Sequence, residues 1–320
     1  MLTPSATRAP AEPKAYDVRR MFREAAARRP AFPAIRSGEF RMTYGELDEA
    51  SDRVCAALRA RGVGRGAVVA ILAEQAADVI CGVLAVLKAG ALFVPLDPRT
   101  PARRLEAMLD VAAPAAFLLG ARLGAGLGTD LIVARYGAAV VRMSGGALAI
   151  ADDAVGDELP ALEEIGPDDP CYLYFTSGST GHPKAITGRF KSIAHFIRWE
   201  IEALGVEEGW RVSQLINPSF DAFLRDVFVP LCSGGTVYIP PERETVADAR
   251  RLLAWLSEEG VQLIHCVPSL FRTLLHVEPC PLPSLRWVLM SGEPLQPADV
   301  KRWTELYGTS TRLVNLYGPS

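Results

Sequence analysis

The chain has 320 residues, 49% hydrophobic and 22% charged, a balance that excludes disordered and fibrous classes and gives length for about two globular units. Its 34 Lys and Arg against 37 Asp and Glu leave a net charge of −3, so no basic field is available to hold a nucleic-acid backbone or an anionic membrane. Residues 1–15 are Ala- and Pro-rich with charges of both signs, lack the apolar core of a signal peptide, and read as a flexible leader. Thr43 and Glu46 have the spacing of a capping box, and Leu47, Val54 and Leu58 share one helical face, which predicts a helix from Tyr44 to a stop at Gly62. A strand over Ala67–Leu72, an apolar helix over Ala77–Ala89 and a short strand over Leu92–Val94 ended by Pro95 then alternate as βαβ units do. The run Val79–Leu87 is too short to span a bilayer and is closed by Lys88 and Gly90, so it is expected as a buried helix of a soluble, cytoplasmic protein. The Gly/Ala-rich stretch Gly120–Asp157 is expected to hold the last strands of the first half.

The second half alternates more clearly. Strands are predicted over Val261–Val267, Leu285–Met290 and Arg312–Leu316, with helices over Pro268–Val277 and Pro297–Tyr307, the latter with proline in its first turn. Strands joined by helical crossovers form a parallel sheet whose ligands sit beyond the carboxyl ends of the strands. The segments to watch are therefore Pro268-Ser269, Ser291-Gly292-Glu293 and Tyr317-Gly318-Pro319. Cys55, Cys81, Cys171, Cys232, Cys266 and Cys280 include no C-x-x-C pair and read as reduced core residues. His265, Cys266, His276 and Cys280 lack the spacing of a zinc site, so no metal held by the chain is expected.

The most informative segment is Tyr172–Lys184, YLYFTSGSTGHPK. An apolar strand runs into Thr176, Ser177, Gly178, Ser179, Thr180 and Gly181, and Lys184 follows. Glycines let backbone N–H groups converge on one anion, hydroxyls add donors and lysine adds charge, which is phosphate chemistry. The lysine lies three residues past Gly181 and is followed by Ala185, so this is not the G-x-x-x-x-G-K-[ST] loop.

In order along the chain, MTYGEL (42–47), LKAGALFVPLD (87–97), YLYFTSGSTGHPKA (172–185), NPSFDA (217–222) and NLYGPS (315–320) resemble the first five core motifs of the adenylation domains of nonribosomal peptide synthetases, in the acyl-adenylate-forming superfamily. The one departure inside them is Ala185, where the family usually has glycine. The resemblance implies an α/β fold of two stacked, mostly parallel sheets with flanking helices, divided into a first subdomain over 16–170 and a second over 171–320. It also implies that a β-barrel subdomain is left incomplete and that a C-terminal lid with a catalytic lysine follows, so no catalytic residue is expected in this chain and the chain alone is expected to be inactive. The implied reaction joins an amino-acid carboxylate to the α-phosphate of ATP with Mg2+, releases pyrophosphate and passes the aminoacyl group to a phosphopantetheinyl carrier protein, with a small MbtH-like chaperone as a further partner.

By the same resemblance, Thr176, Ser177, Gly178, Ser179, Thr180, Gly181 and Lys184 cover the outer phosphates. Gly292, Asn315 and Tyr317 meet the adenine and Ser320 lies near the α-phosphate. Gly292 is equally a turn glycine and Tyr317 a core aromatic by the residues alone. Asp221 resembles the aspartate that pairs with the substrate ammonium, and Ala222, Arg225, Ser269, Leu289, Ser291 and Leu316 line the amino-acid pocket. Arg225 among apolar neighbours needs a partner, either Asp226 or the substrate side chain, and with Ser269 and Ser291 it favours a small polar or acidic amino acid. An acyl-CoA or aryl-acid ligase of the same superfamily and a non-catalytic nucleotide-binding or scaffold module are the alternatives; Asp221 speaks against the first, whose substrates carry no ammonium.

Overall fold

The computed structural model describes residues 17–120, 123, 132, 135, 140–144, 149–150, 161–177 and 183–316; the expected leader lies outside them. Helix starts follow local chemistry. Asp17 caps α1 (Val18–Arg28), its carboxylate accepting from the Arg19 amide at 3.0 Å. The capping box forms as expected: Glu46 Oε2 accepts from the Thr43 amide at 2.7 Å and Thr43 Oγ1 accepts from the Glu46 amide at 3.3 Å, opening α2 (Tyr44–Ala60). In α3 (Ala76–Lys88) every residue from Asp78 to Lys88 is buried, as a helix apolar on all sides requires.

The strands are β1 (Pro33–Ser37), β2 (Phe40–Thr43), β3 (Val68–Leu72), β4 (Leu92–Leu96), β5 (Ala116–Leu119), β6 (Val140–Ser144), β7 (Ala149–Ile150), β8 (Pro170–Ser177), β9 (Pro183–Arg189), β10 (Arg211–Ser213), β11 (Thr236–Tyr238), β12 (Leu263–Cys266), β13 (Trp287–Met290) and β14 (Arg312–Asn315). The remaining helices are α4 (Ala102–Ala112), α5 (Phe190–Leu204), α6 (Phe223–Ser233), α7 (Arg243–Ala247), α8 (Ala249–Glu258), α9 (Pro268–Leu274) and α10 (Pro297–Tyr307). Pro95 does not end its strand. It sits inside β4 opposite Ile71, whereas β8 is in register with β4 at Phe93–Tyr172, so the proline falls past the stretch paired on both sides, where sheets tolerate a missing N–H.

Two seven-stranded sheets result, in the orders β7-β6-β5-β3-β4-β8-β9 and β14-β13-β12-β10-β11-β1-β2. Pairing is parallel except at β6–β7, β8–β9 and β1–β2. The sheets exchange strands across residue 170: β8 and β9 join the sheet of β3–β7, and the early hairpin β1–β2 joins the later sheet through β11. One apolar core holds residues of both sheets together with α1, α2, α3, α5 and α6, while α4 covers the outer face of the first sheet and α8–α10 that of the second. The strand period of two makes this possible, sending Leu289 inward and Val288 and Met290 outward from β13. No described helix is long and apolar enough to cross a membrane.

Cys266, Met290 and Asn315 are in register at the carboxyl ends of β12, β13 and β14. The segments that follow these strands therefore leave the sheet at one edge, where open α/β sheets bind ligands.

Candidate functional site

The glycine- and hydroxyl-rich segment begins at the end of β8 and precedes β9 in the chain. β8 and β9 pair antiparallel, with Thr176 opposite Lys184 and Ser177 opposite Pro183. A strand follows the loop, so no helix dipole aids it, and charge comes from Lys184, which is exposed, beside half-buried Thr176. Gly178, Ser179, Thr180 and Gly181 lie outside the described residues, as do Tyr317 and Ser320. Lower in the hairpin, Tyr172 crosses β9 so closely that a Cβ at Gly188 would stand 1.8 Å from its ring, which explains the glycine there. Tyr172 packs edge-on to Tyr174 at 5.2 Å and against Phe93 at 6.1 Å between centroids.

The Asp221 charge acts on this aromatic wall. Burial, helped at Tyr172 by the Cys171 and Asp221 charges and at Tyr174 by Asp221, pushes the Tyr172 phenol up to about 12 and Tyr174 well above its usual value. The Tyr174 hydroxyl is buried without a hydrogen-bond partner. Asp221 itself is exposed, and its neighbour Phe220 is 61% exposed, so the apolar sequence around this aspartate does not bury it. Ala222 is half-buried at the N-cap of α6. Asn217 Oδ1 accepts from the Ser219 amide at 3.0 Å, while its Nδ2 donates to Asp97 Oδ2 at 2.9 Å. Asp97 follows β4, so this bond ties the two sheets together at the site. Burial raises the Asp97 carboxyl, but hydrogen bonds from Arg99 and Asn217 more than offset it and hold the group below its ordinary value.

At the carboxyl edge, Gly292 adopts φ +86°, a left-handed turn that glycine makes without strain. Ser269 is exposed and already occupied: its amide and hydroxyl donate to the two oxygens of Glu293 at 2.8 and 2.9 Å, an anchor for the start of α9. Asn315 is exposed at the end of β14, and Leu316 is half-buried with its amide donating to Met290 O at 2.7 Å. Leu289 is 1% exposed within the core between the sheets.

Arg225 does not pair with Asp226, one of its two expected partners. Its guanidinium meets Glu200 of α5 at 2.9 Å, with both side chains buried. Asp226 is instead held by the backbone, its Oδ2 accepting from the Leu215 and Ile216 amides at 3.1 Å each. The cause is geometric: adjacent helix positions point about 100° apart, so Arg225 turns toward α5 and Asp226 toward the β10 loop. The buried arginine signalled that an anion was needed, but nothing in the sequence singled out Glu200, 25 residues upstream and on another helix. His265 points inward to this cluster and Cys266 outward into the other core, and among the described residues no group of three or more His, Cys, Asp or Glu is placed to hold a metal. The cysteines are free, and burial pushes the Cys55 thiol up to about 11 and Cys81 and Cys266 to about 12, so these three stay protonated.

The model of a family described as AMP-binding enzyme matches residues 22–320. Bacitracin synthase 3 of Bacillus licheniformis is 30% identical over 308 residues, which cover 96% of this chain and 5% of that protein. Surfactin synthase subunit 2 of Bacillus subtilis (strain 168) is 29% identical over 304 residues, 94% of this chain and 8% of its own length. Among solved structures, the nonribosomal peptide synthetase FmoA3 superposes with TM-score 0.81 at 26% identity, covering 98% of this chain and 32% of that one. CmiS6 superposes with TM-score 0.80 at 30% identity, covering 98% and 74%. The chain thus spans only a small part of the curated relatives it matches.

Proposed function

Since the chain belongs to the AMP-binding enzyme family and is an adenylate-forming domain like those of nonribosomal peptide synthetases, we propose that it activates an amino acid with ATP as part of a longer enzyme and delivers the aminoacyl group to the thiol of a phosphopantetheinyl carrier. The observation that carries this reading is the layout of β8. Its loop end presents Thr176 across from Lys184, and its middle, Tyr172 and Tyr174, lies within electrostatic reach of Asp221. At ~3.3 Å per residue the two features lie roughly 10 Å apart along one strand, a span that an amino acid joined to ATP bridges. FmoA3, a relative of the same fold, has been solved with AMPPNP, which supports ATP as the nucleotide.

In the proposed reaction a carboxylate oxygen bonds to the α-phosphorus as the bond to the bridging oxygen breaks, and pyrophosphate leaves with that electron pair. Both reactants are anions, so the work of this chain is to hold them together and offset repulsion. Lys184, Thr176 and the hairpin backbone hold the outer phosphates, and Asp221 pairs with the ammonium and so aims the carboxylate. Gly292, Asn315 and Tyr317 receive the adenine at the carboxyl edge, and Ser320 stands near the α-phosphate. Magnesium would arrive as the counterion of the triphosphate. The described residues supply no cluster of their own for it, and no step is routed through it.

The test is pyrophosphate exchange by the full-length protein across amino acids and aryl acids. Exchange is expected with amino acids alone, and Asp221→Ala is expected to lower kcat/KM about tenfold or more. Exchange driven by aryl acids and indifferent to Asp221 would mean a ligase of another branch.

A further inference from the structure

A buried charged cluster lies beneath Ser291. Glu200 and Arg225 meet at 2.9 Å with side chains 2% and 7% exposed. Arg225 Nη1 is 3.4 Å from His265 Nε2, and that same nitrogen is 2.9 Å from Ser291 Oγ. Phe196, one turn before Glu200 on α5, sets its ring 4.5 Å from the guanidinium. Behind them Asp226 Oδ1 is 3.4 Å from His265 Nδ1. Asp221 lies in the turn that leads into α6, where the Leu224 and Arg225 amides donate to Asp221 O and Ala222 O. Asp221 therefore stands just ahead of the helix, four residues before Arg225. Asp221, Arg225 and Ser291, the last joined to the arginine through His265, outline one wall running from the ammonium-binding position to the carboxyl edge.

We propose that Glu200 is a specificity-determining positioning residue: by holding Arg225 it makes this wall charge-neutral, so that the site takes amino acids with uncharged polar side chains and rejects acidic ones. The inference rests on the amino-acid activation proposed above. A lone guanidinium in a poorly solvated wall would attract a substrate carboxylate strongly. With Glu200 in place, an entering carboxylate must share the guanidinium with one buried anion while Asp226 stands close behind, and like charges at such range repel. An uncharged amide or hydroxyl meets no such penalty. The guanidinium has five N–H donors, of which Glu200 and His265 engage only part, and Ser291 adds a hydroxyl that can donate or accept. Burial pushes the Glu200 carboxyl up to about 7, with Arg225 pulling it back and Asp226 adding to the rise, so the pair is mostly ionised in mildly alkaline buffer.

The experiment is a pyrophosphate-exchange panel over the proteinogenic amino acids, run on the full-length protein at about pH 8. Wild type is expected to favour an uncharged polar amino acid over aspartate and glutamate. Glu200→Gln keeps the shape and frees the guanidinium charge, and should raise the acidic-to-neutral ratio of kcat/KM about tenfold or more, mainly through KM. The double variant Glu200→Leu/Arg225→Met removes both charges with little change of volume, a replacement that buried pairs tolerate. It should keep acidic substrates excluded while its preference moves toward apolar ones. An unchanged ratio in Glu200→Gln, an equal shift in the double variant, or a wild-type preference for an acidic amino acid overturns the inference alone. If Glu200→Gln does not fold, an unchanged preference in the double variant overturns it as well. Wild-type exchange with no amino acid overturns the proposed function and this inference with it.

Discussion

Replacing Lys88 by methionine tests the buried charge network that joins α2 to α3. Lys88 Nζ, on a side chain 1% exposed, donates to Asp48 Oδ1 at 2.6 Å, Ser51 Oγ at 2.8 Å and Asp48 O at 2.9 Å, and lies 2.8 Å from Asp52 Oδ1. Methionine fills most of that volume but leaves two carboxylates without their cation. Breaking a buried pair by removing one partner costs about 3–5 kcal/mol. Asp52 keeps Arg23 at 2.7 Å and Asp48 is partly solvated, which places the expectation at the lower end, ~3 kcal/mol. With an unfolding entropy of ~2.1 cal/mol/K per residue over 320 residues, that loss lowers the thermal midpoint by about 4–5 °C. Calorimetry on wild type, Lys88→Met, Asp52→Asn and the double variant reads both the loss and the coupling. The double variant should recover part of the loss, because it removes one of the stranded anions. A Lys88→Met midpoint within about 1 °C of wild type would refute the reasoning, since it would mean that solvent already screens these carboxylates.

Thr43→Ala removes one side of the reciprocal cap of α2 and should cost ~1 kcal/mol in a denaturant melt, with Thr43→Ser retaining most of it. Gly188→Ala drives a methyl into the Tyr172 ring and should cost about 1–3 kcal/mol or more, read as a lower melting midpoint; Tyr172→Ala in the same chain should relieve the clash, and an unperturbed single variant would contradict it. Asp97 is held below its ordinary value of 3.8, so its contribution is complete above that pH and is lost as pH falls through the lower folded-state value. Asp97→Asn should therefore be less stable than wild type near neutrality, and the gap should narrow as pH falls below 3.8; a gap independent of pH would assign the effect to packing.

Several features of this protein are decided within a few neighbouring residues, and these the sequence determined alone. The cap at Thr43 and Glu46, the buried helix over Val79–Leu87 and the alternating crossovers through β12, β13 and β14 each follow from local spacing, because hydrogen-bond reach and side-chain period act over one or two turns. The motif order from Met42 to Ser320 carried the family for the same reason, since each motif is a contiguous run. What needed the tertiary structure is whatever joins distant segments. The early hairpin β1–β2 crosses to the later sheet, Asp97 reaches Asn217 from the opposite sheet, and Glu200 rather than Asp226 receives Arg225. A buried charge must find a counterion, but burial and direction are properties of packed helices. Only their packing decides which of many carboxylates comes within reach.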